Sequence, residues 1–343
     1  MQLMTWKIQV KLILTLSFLL IMSLTSAQNL KTLKIKGAVT EPSNNYYTWF
    51  KDCSGLLPVN AVFDSLRTGK FQSVEGAKAF NKGFTKCTYW MAISIQNDTT
   101  INLPVLWSFY DNSIEFTLYD ATKPGSIILI DSSSTNQVLS KRNYPVRSVS
   151  FKIDLKPNEK RLLMVKVHTN NTDNLYIPTD ITTVEDYLLY EVDYSFLIGR
   201  YIGYFLFAFI FNLMLWIALK KRIHLWHAAY VLSLIGFDLN DFMVDSYIFP
   251  GWFYHYWSFL PKVAFLIIPV YLSMNVFQIF INQKKDFSNL YFIFKIYKRI
   301  TLLVIILMVF SGFAFSFHHP INFILRLTSN YLSFIGMDLF LLT

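Results

Sequence analysis

Cysteine and histidine are scarce, and neither is grouped in a way that makes a catalytic or metal site. The 343-residue chain has two cysteines and six histidines. His168 is the only histidine in the first half, so a clustered zinc site has no ligand set there. Paired carboxylates are also lacking, since Asp111, Glu115 and Asp120 follow strand and turn spacing with nothing to set them as acid and base. These absences lead us to expect no enzymatic activity, no metal and no cofactor. Charged residues make up only 15% of the chain, with a net charge of +9. Much of the basic charge flanks apolar segments, where topology and anionic headgroups explain it better than nucleic acid does. No nucleic-acid partner is expected.

What is abundant is apolar sequence, and it is unevenly placed. The hydrophobic share of 53% averages an ordinary polar region with a very apolar second half, which implies two parts. Residues 1–27 have the pattern of an export signal: Lys7 and Lys11 precede the apolar run 12–24, and Thr25-Ser26-Ala27 precedes Gln28. Cleavage after Ala27 is expected. The exported part, 28–195, contains both cysteines, Cys53 and Cys87. A bridge between them is compatible with an oxidising compartment, as are two separate buried thiols.

Within that region, Val59, Val62, Phe63 and Leu66 repeat at helical spacing before Gly69, which predicts one short helix between 54 and 69. The period then changes to two. Tyr89, Met91, Ile93 and Ile95 share one strand face, as do Ile114, Phe116 and Leu118; Val149, Phe151 and Ile153; and Leu163, Val165 and Val167. Several short strands, each with one apolar face, predict an all-β sandwich, with a jelly roll as the first choice. Trp107, Tyr110, Tyr144 and Tyr176 are the aromatic candidates for stacking on a sugar or another flat ligand, although packing is the commoner role of such residues. Asn97-Asp98-Thr99 and Asn170-Asn171-Thr172 match the glycosylation pattern.

The region 196–343 reads as a helical transmembrane domain of about five spans: 197–219, 225–249, 260–281, 300–317 and one beginning near Ile321. Lys220-Lys221-Arg222 and the basic loop 283–299 lie on one side, and the connections 250–259 and 318–320 carry no lysine or arginine. The amino-terminal domain is therefore expected outside, with Trp252, Tyr254, Tyr256 and Trp257 as an aromatic belt. Asp238 and Asp241 are the intramembrane polar candidates, with Asp245 one turn further; either a signalling role or a polar contact between helices fits their spacing.

Residues Tyr89-Trp90-Met91-Ala92-Ile93-Ser94-Ile95-Gln96-Asn97, the turn Pro157-Asn158-Glu159, and Gly203-Tyr204 leading to Phe211-Asn212-Leu213 resemble the bacterial seven-transmembrane receptors with diverse intracellular signalling modules, the 7TMR-DISM family. The resemblance covers roughly 56–252. It implies an extracellular jelly roll similar to carbohydrate-binding modules, seven spans in the bacterial inner membrane, and a cytoplasmic effector. The implied partners are the lipid bilayer, an extracellular small molecule or glycan, and a signalling effector. With about five spans and no effector, the chain is expected to be either incomplete or served by a partner. The competing readings are a transporter accessory subunit and an anchored carbohydrate-binding protein without signalling.

Overall fold

The computed structural model describes residues 30–37, 43–74, 79–83, 85, 87–110, 114–123, 125–135, 137–169, 175–258, 260, 262–281, 283–286, 288–314 and 320–341. The export signal 1–27, Asp111, Asn170-Asn171-Thr172 and the end of the expected fourth span lie outside the described residues. Strands β1 (Thr32–Ile35) and β2 (Thr48–Asp52) precede helix α1 (Val59–Arg67). Strands β3 (Gln72–Ser73), β4 (Phe80–Gly83), β5 (Thr88–Asn97), β6 (Leu103–Phe109), β7 (Ile114–Lys123) and β8 (Ser126–Ser134) come next. After them follow β9 (Val149–Leu155), β10 (Lys160–Thr169), β11 (Leu175–Ile177) and β12 (Thr179–Thr183).

The alternation of apolar residues produces antiparallel sheets that share one core. A large sheet runs β3-β2-β5-β10-β7-β8, a small one β12-β6-β9, and β11 pairs with β4. The pairing of β1 with β5 is parallel and uses the carboxy-terminal half of β5, while β2 takes the other half. Met91, Ile93, Ile95, Leu163 and Val165 of the large sheet meet Val105, Trp107, Phe109 and Phe151 of the small one. Each such side chain contributes about 1.5–3 kcal/mol when fully buried. Cys53 and Cys87 form a disulfide with Cα atoms 4.1 Å apart, which resolves the choice left open by their spacing.

One expectation about the strands needs correcting. The central strand β5 was expected to have a single apolar face, yet Trp90 and Ala92 on its other face are also buried. Val62, Phe63 and Leu66 of the amphipathic α1, with Phe71, cover that face, to which Met164 of the neighbouring β10 also belongs. The helix falls between 54 and 69 as expected, and its stop is Gly69, at φ +72°.

The second part is helical: α2 (Val184–Leu219), α3 (Arg222–Asp241), α4 (Asp245–Ile248), α5 (Gly251–Ser258), α6 (Lys262–Phe280), α7 (Gln283–Asp286), α8 (Ser288–Ala314) and α9 (Pro320–Leu341). Two of these, α2 and α6, are long and apolar enough to cross a membrane. α2 packs on α3 and α3 on α6, while α6, α8 and α9 share a core built from Ile267, Met274, Phe294, Val304 and Met308.

Three sequence boundaries move. The expected division at 195/196 falls inside α2, whose 36 residues make about 54 Å of continuous helix. The expected span 225–249 ends at Asp241, because Phe242 and Met243 form a turn, with Met243 at φ 60°, before α4 begins. The basic stretch 283–299 is not a loop: α7 and the first turns of α8 occupy most of it, and Lys298 donates to Asn275 Oδ1 at 2.8 Å.

Candidate transmission site between the β domain and the helices

The β domain reaches the helices without a linker. Thr183 is both the last residue of β12 and the N-cap of α2: its Oγ1 accepts from Asp186 N at 3.1 Å and donates to Asp186 Oδ2 at 2.7 Å. Such a cap is worth about 1 kcal/mol and, with Glu185 and Asp186 in the first turn, fixes where the helix starts. β12 is hydrogen-bonded along β6 from Thr179 to Thr183, so α2 starts at a point held by the small sheet.

The first turns of α2 then fold back on the outer face of that sheet. Tyr187 is buried against Leu106 and Val146, with Tyr110, Tyr144 and Val184 at the margin. Its hydroxyl pairs with Ser148 Oγ at 2.9 Å, and the chain of hydroxyls continues to Ser150 at 2.9 Å and Ser108 at 2.8 Å. One turn further along α2, Glu191 pairs with Arg147 Nε, both side chains being largely buried. The Arg147 guanidinium lies 3.9 Å from the centroid of the Tyr194 ring, 5.6 Å from that of Tyr110, and its Nη1 donates to Phe242 O at 3.5 Å. Burial opposes the charge of Arg147, but the Glu191 carboxylate outweighs it and holds the guanidinium more basic than usual. Arg147 thus touches the β domain, α2 and the turn after α3 at once.

A second arginine organises the loop between β8 and β9. Arg142 donates to four backbone carbonyls: Gln137 O at 3.2 Å, Val146 O at 2.9 Å, Arg147 O at 3.1 Å and Thr135 O at 3.0 Å. Tyr254 on α5 donates to the same Thr135 O at 2.6 Å, which joins loop and helix. Beside them Asp245 accepts from Trp257 Nε1 at 2.9 Å, from Ser246 N at 2.9 Å and from Asn240 Nδ2 at 3.5 Å.

The residues singled out in the sequence are placed differently. Trp107 offers no face to a ligand: it is fully buried, stacked on Tyr47 at 5.9 Å, with its Nε1 donating to Thr179 Oγ1 at 2.9 Å. Its strand position points it into the core, which correctly removes it from the stacking candidates. Tyr110 and Tyr144 are half-buried at the Tyr187 contact. Tyr176 is 47% exposed on β11 and keeps an accessible ring. The structure does not gather these four rings into one site.

Asn97 is fully buried, and its Nδ2 donates to Ile101 O, Leu155 O and Lys156 O, so it anchors a turn and is closed to glycosylation. Asp120 lies 3.9 Å from Arg161, a partly exposed ion pair, and Glu115 is exposed on β7. Asp238 sits half-buried in the last turn of α3 and Asp241 is exposed at its end, so neither is deep in a span. Tyr254 and Trp257, assigned to an aromatic belt, turn inward to the joint, whereas Trp252 and Tyr256 remain exposed.

Sequence reading missed Arg142, Arg147 and Glu191. Their segments have no periodicity, and lone arginines and glutamates are ordinarily solvated. The signal that was present was the start of α2, Thr183-x-x-Asp186 running into an apolar helix, which leaves no room for a flexible linker.

An antiparallel β domain joined without a linker to a span-like helix defines a two-part module. Residues 44–182 match the family model described as 7TMR-DISM extracellular 2, and that stretch ends immediately before the N-cap Thr183. The β domain is thus identified as this family's extracellular domain over those residues, and no curated protein matches the chain.

Proposed function

We propose that the protein is a non-enzymatic membrane receptor in the bacterial inner membrane. Its outer β domain, a sandwich of jelly-roll type, binds an extracellular small molecule or glycan, and the joint passes the bound state to the helices. In this reading α3, α8 and α9 cross the bilayer along with α2 and α6, giving five spans, and a cytoplasmic effector supplies the output. The observation that carries the proposal is the absence of any linker between β12 and α2, together with Arg147 bridging the β domain, Glu191 and Phe242 O. A tethered binding protein needs no such clamp, so the clamp favours signalling over simple anchoring. Support for the outward orientation comes from the match to an extracellular domain and from the basic residues Lys220, Lys221 and Arg222 at the far end of α2.

A ligand shifts the receptor only if it binds the two states of the joint with different affinity. The test is a glycan and small-molecule binding screen on the full chain in nanodiscs, repeated on Arg147→Ala. Receptor function predicts a ligand whose affinity changes with the state of the joint. A ligand bound with equal affinity by both proteins would support anchoring without signalling.

A further inference from the structure

Helix α2 leaves one face uncovered by the described residues. Its three buried positions, Tyr187, Ile198 and Asn212, fall on the arc that also carries Glu191 and Tyr194, and there α2 meets the β domain and packs on α3. At about 100° per residue, Leu188, Val192, Ser195, Gly199, Leu206 and Ile210 share a second arc about 60° wide, centred roughly 100° from the first. All six are exposed. The charged residues of this stretch, Glu191, Asp193 and Arg200, lie off that arc. A Cβ added at Gly199 or Gly203 would meet nothing within 4 Å.

Lipid accounts for the lower part of this stripe and not for the upper. With Lys220-Lys221-Arg222 at one membrane surface, the ~30 Å hydrocarbon core takes about 20 residues of helix, back to about residue 200. Leu188, Leu189 and Val192 stand well beyond it, yet they are 48%, 63% and 68% exposed, an apolar patch in water. We propose that a second copy of the chain covers the stripe, its α2 lying parallel along this one from the outer turns into the membrane. Two copies in one bilayer already run in the same direction. Leu188, Val192, Ser195, Gly199 and Leu206 follow one another in steps of four, three, four and seven, the spacing of the seam between paired helices. In a symmetric pair each seam residue meets its own copy, so a charge there would face its like, and the stripe carries none. A seam about 10 Å wide along a helix of about 54 Å covers about 500 Å² per copy and about 1,000 Å² in all, the size at which a specific interface begins. The inference rests on α2 crossing the bilayer, and it stands whether or not the β domain is a ligand sensor.

The test is oxidative cross-linking of the full chain in lipid vesicles, with one added cysteine at a time along α2. The natural cysteines are occupied in their own disulfide. Leu188→Cys, Val192→Cys and Ser195→Cys should each give a covalent dimer, while Asp193→Cys and Leu197→Cys, exposed on another side of the helix, should not. Adding Val192→Arg to Leu188→Cys should cut the cross-linked share by about tenfold or more, because two arginines would then face each other across the seam. Val192 is exposed in the single chain, so this change leaves the monomer's own packing intact. Failure at all three stripe positions, equal cross-linking at the two control positions, or a share that Val192→Arg leaves unchanged would overturn the proposal. Stripe cysteines that do not cross-link and yet resist a water-soluble maleimide would also overturn it, by assigning the surface to another occupant. A dimer without any ligand response leaves this inference standing and removes the receptor reading, whereas a ligand response from a monomer does the reverse.

Discussion

Arg147 and Glu191 show how much the fold asks of single residues at the joint. With side chains 4% and 12% exposed, they form a buried pair, and removing one partner strands the other charge away from water. Glu191→Ala should therefore destabilise the docked arrangement by about 3 kcal/mol or more. Thermal unfolding of the full chain in detergent measures this, and a melting temperature equal to wild type would show that the pair contributes nothing. Asn97 is a second such residue. Its side chain satisfies three backbone carbonyls and accepts from Thr99 N and Oγ1, so Asn97→Ala should cost on the order of 2 kcal/mol. Denaturant melts read this directly. In the sequence this residue reads as a glycosylation acceptor because the same short pattern suits a turn.

Among the elements, those with a strong period were legible and those without were not. β5, β9 and β10 follow from their alternation, and α1 from its spacing, because burial on one face imposes the pattern. The second covered face of β5 was hidden, since Trp90 and Ala92 alternate with its core residues and read as an ordinary outer face until α1 packs on them. The joint was hidden for a different reason: the β8–β9 loop is held by arginine-to-carbonyl bonds, which leave no periodic trace. The extent of α2 was readable from Thr183, but the apolar run beginning at Leu197 masked its outer extension. At this scale the disulfide is the element to test. It closes a loop with a sequence separation of 34 across α1 and β3. Cys53→Ala should lower the stability of the β domain by about 3 kcal/mol, and an unchanged melting temperature would show that the strand pairing alone sets the rim.

As a whole the molecule is a β domain set on a helix of about 54 Å, well beyond the ~30 Å of a bilayer's hydrocarbon core. The excess is the amino-terminal stretch that carries Tyr187, Glu191 and Tyr194, so the span-like segment and the contact with the β domain belong to one continuous helix. This continuity makes the account testable in a single measurement: hydrogen exchange on the full chain in nanodiscs, comparing wild type with Arg147→Ala. If the joint couples the two parts, loss of Arg147 should lower protection together in the outer turns of α2 and in 242–250, with β5 and β10 unchanged. A change confined to the β8–β9 loop, with α2 and 242–250 exchanging as in wild type, would contradict the central claim.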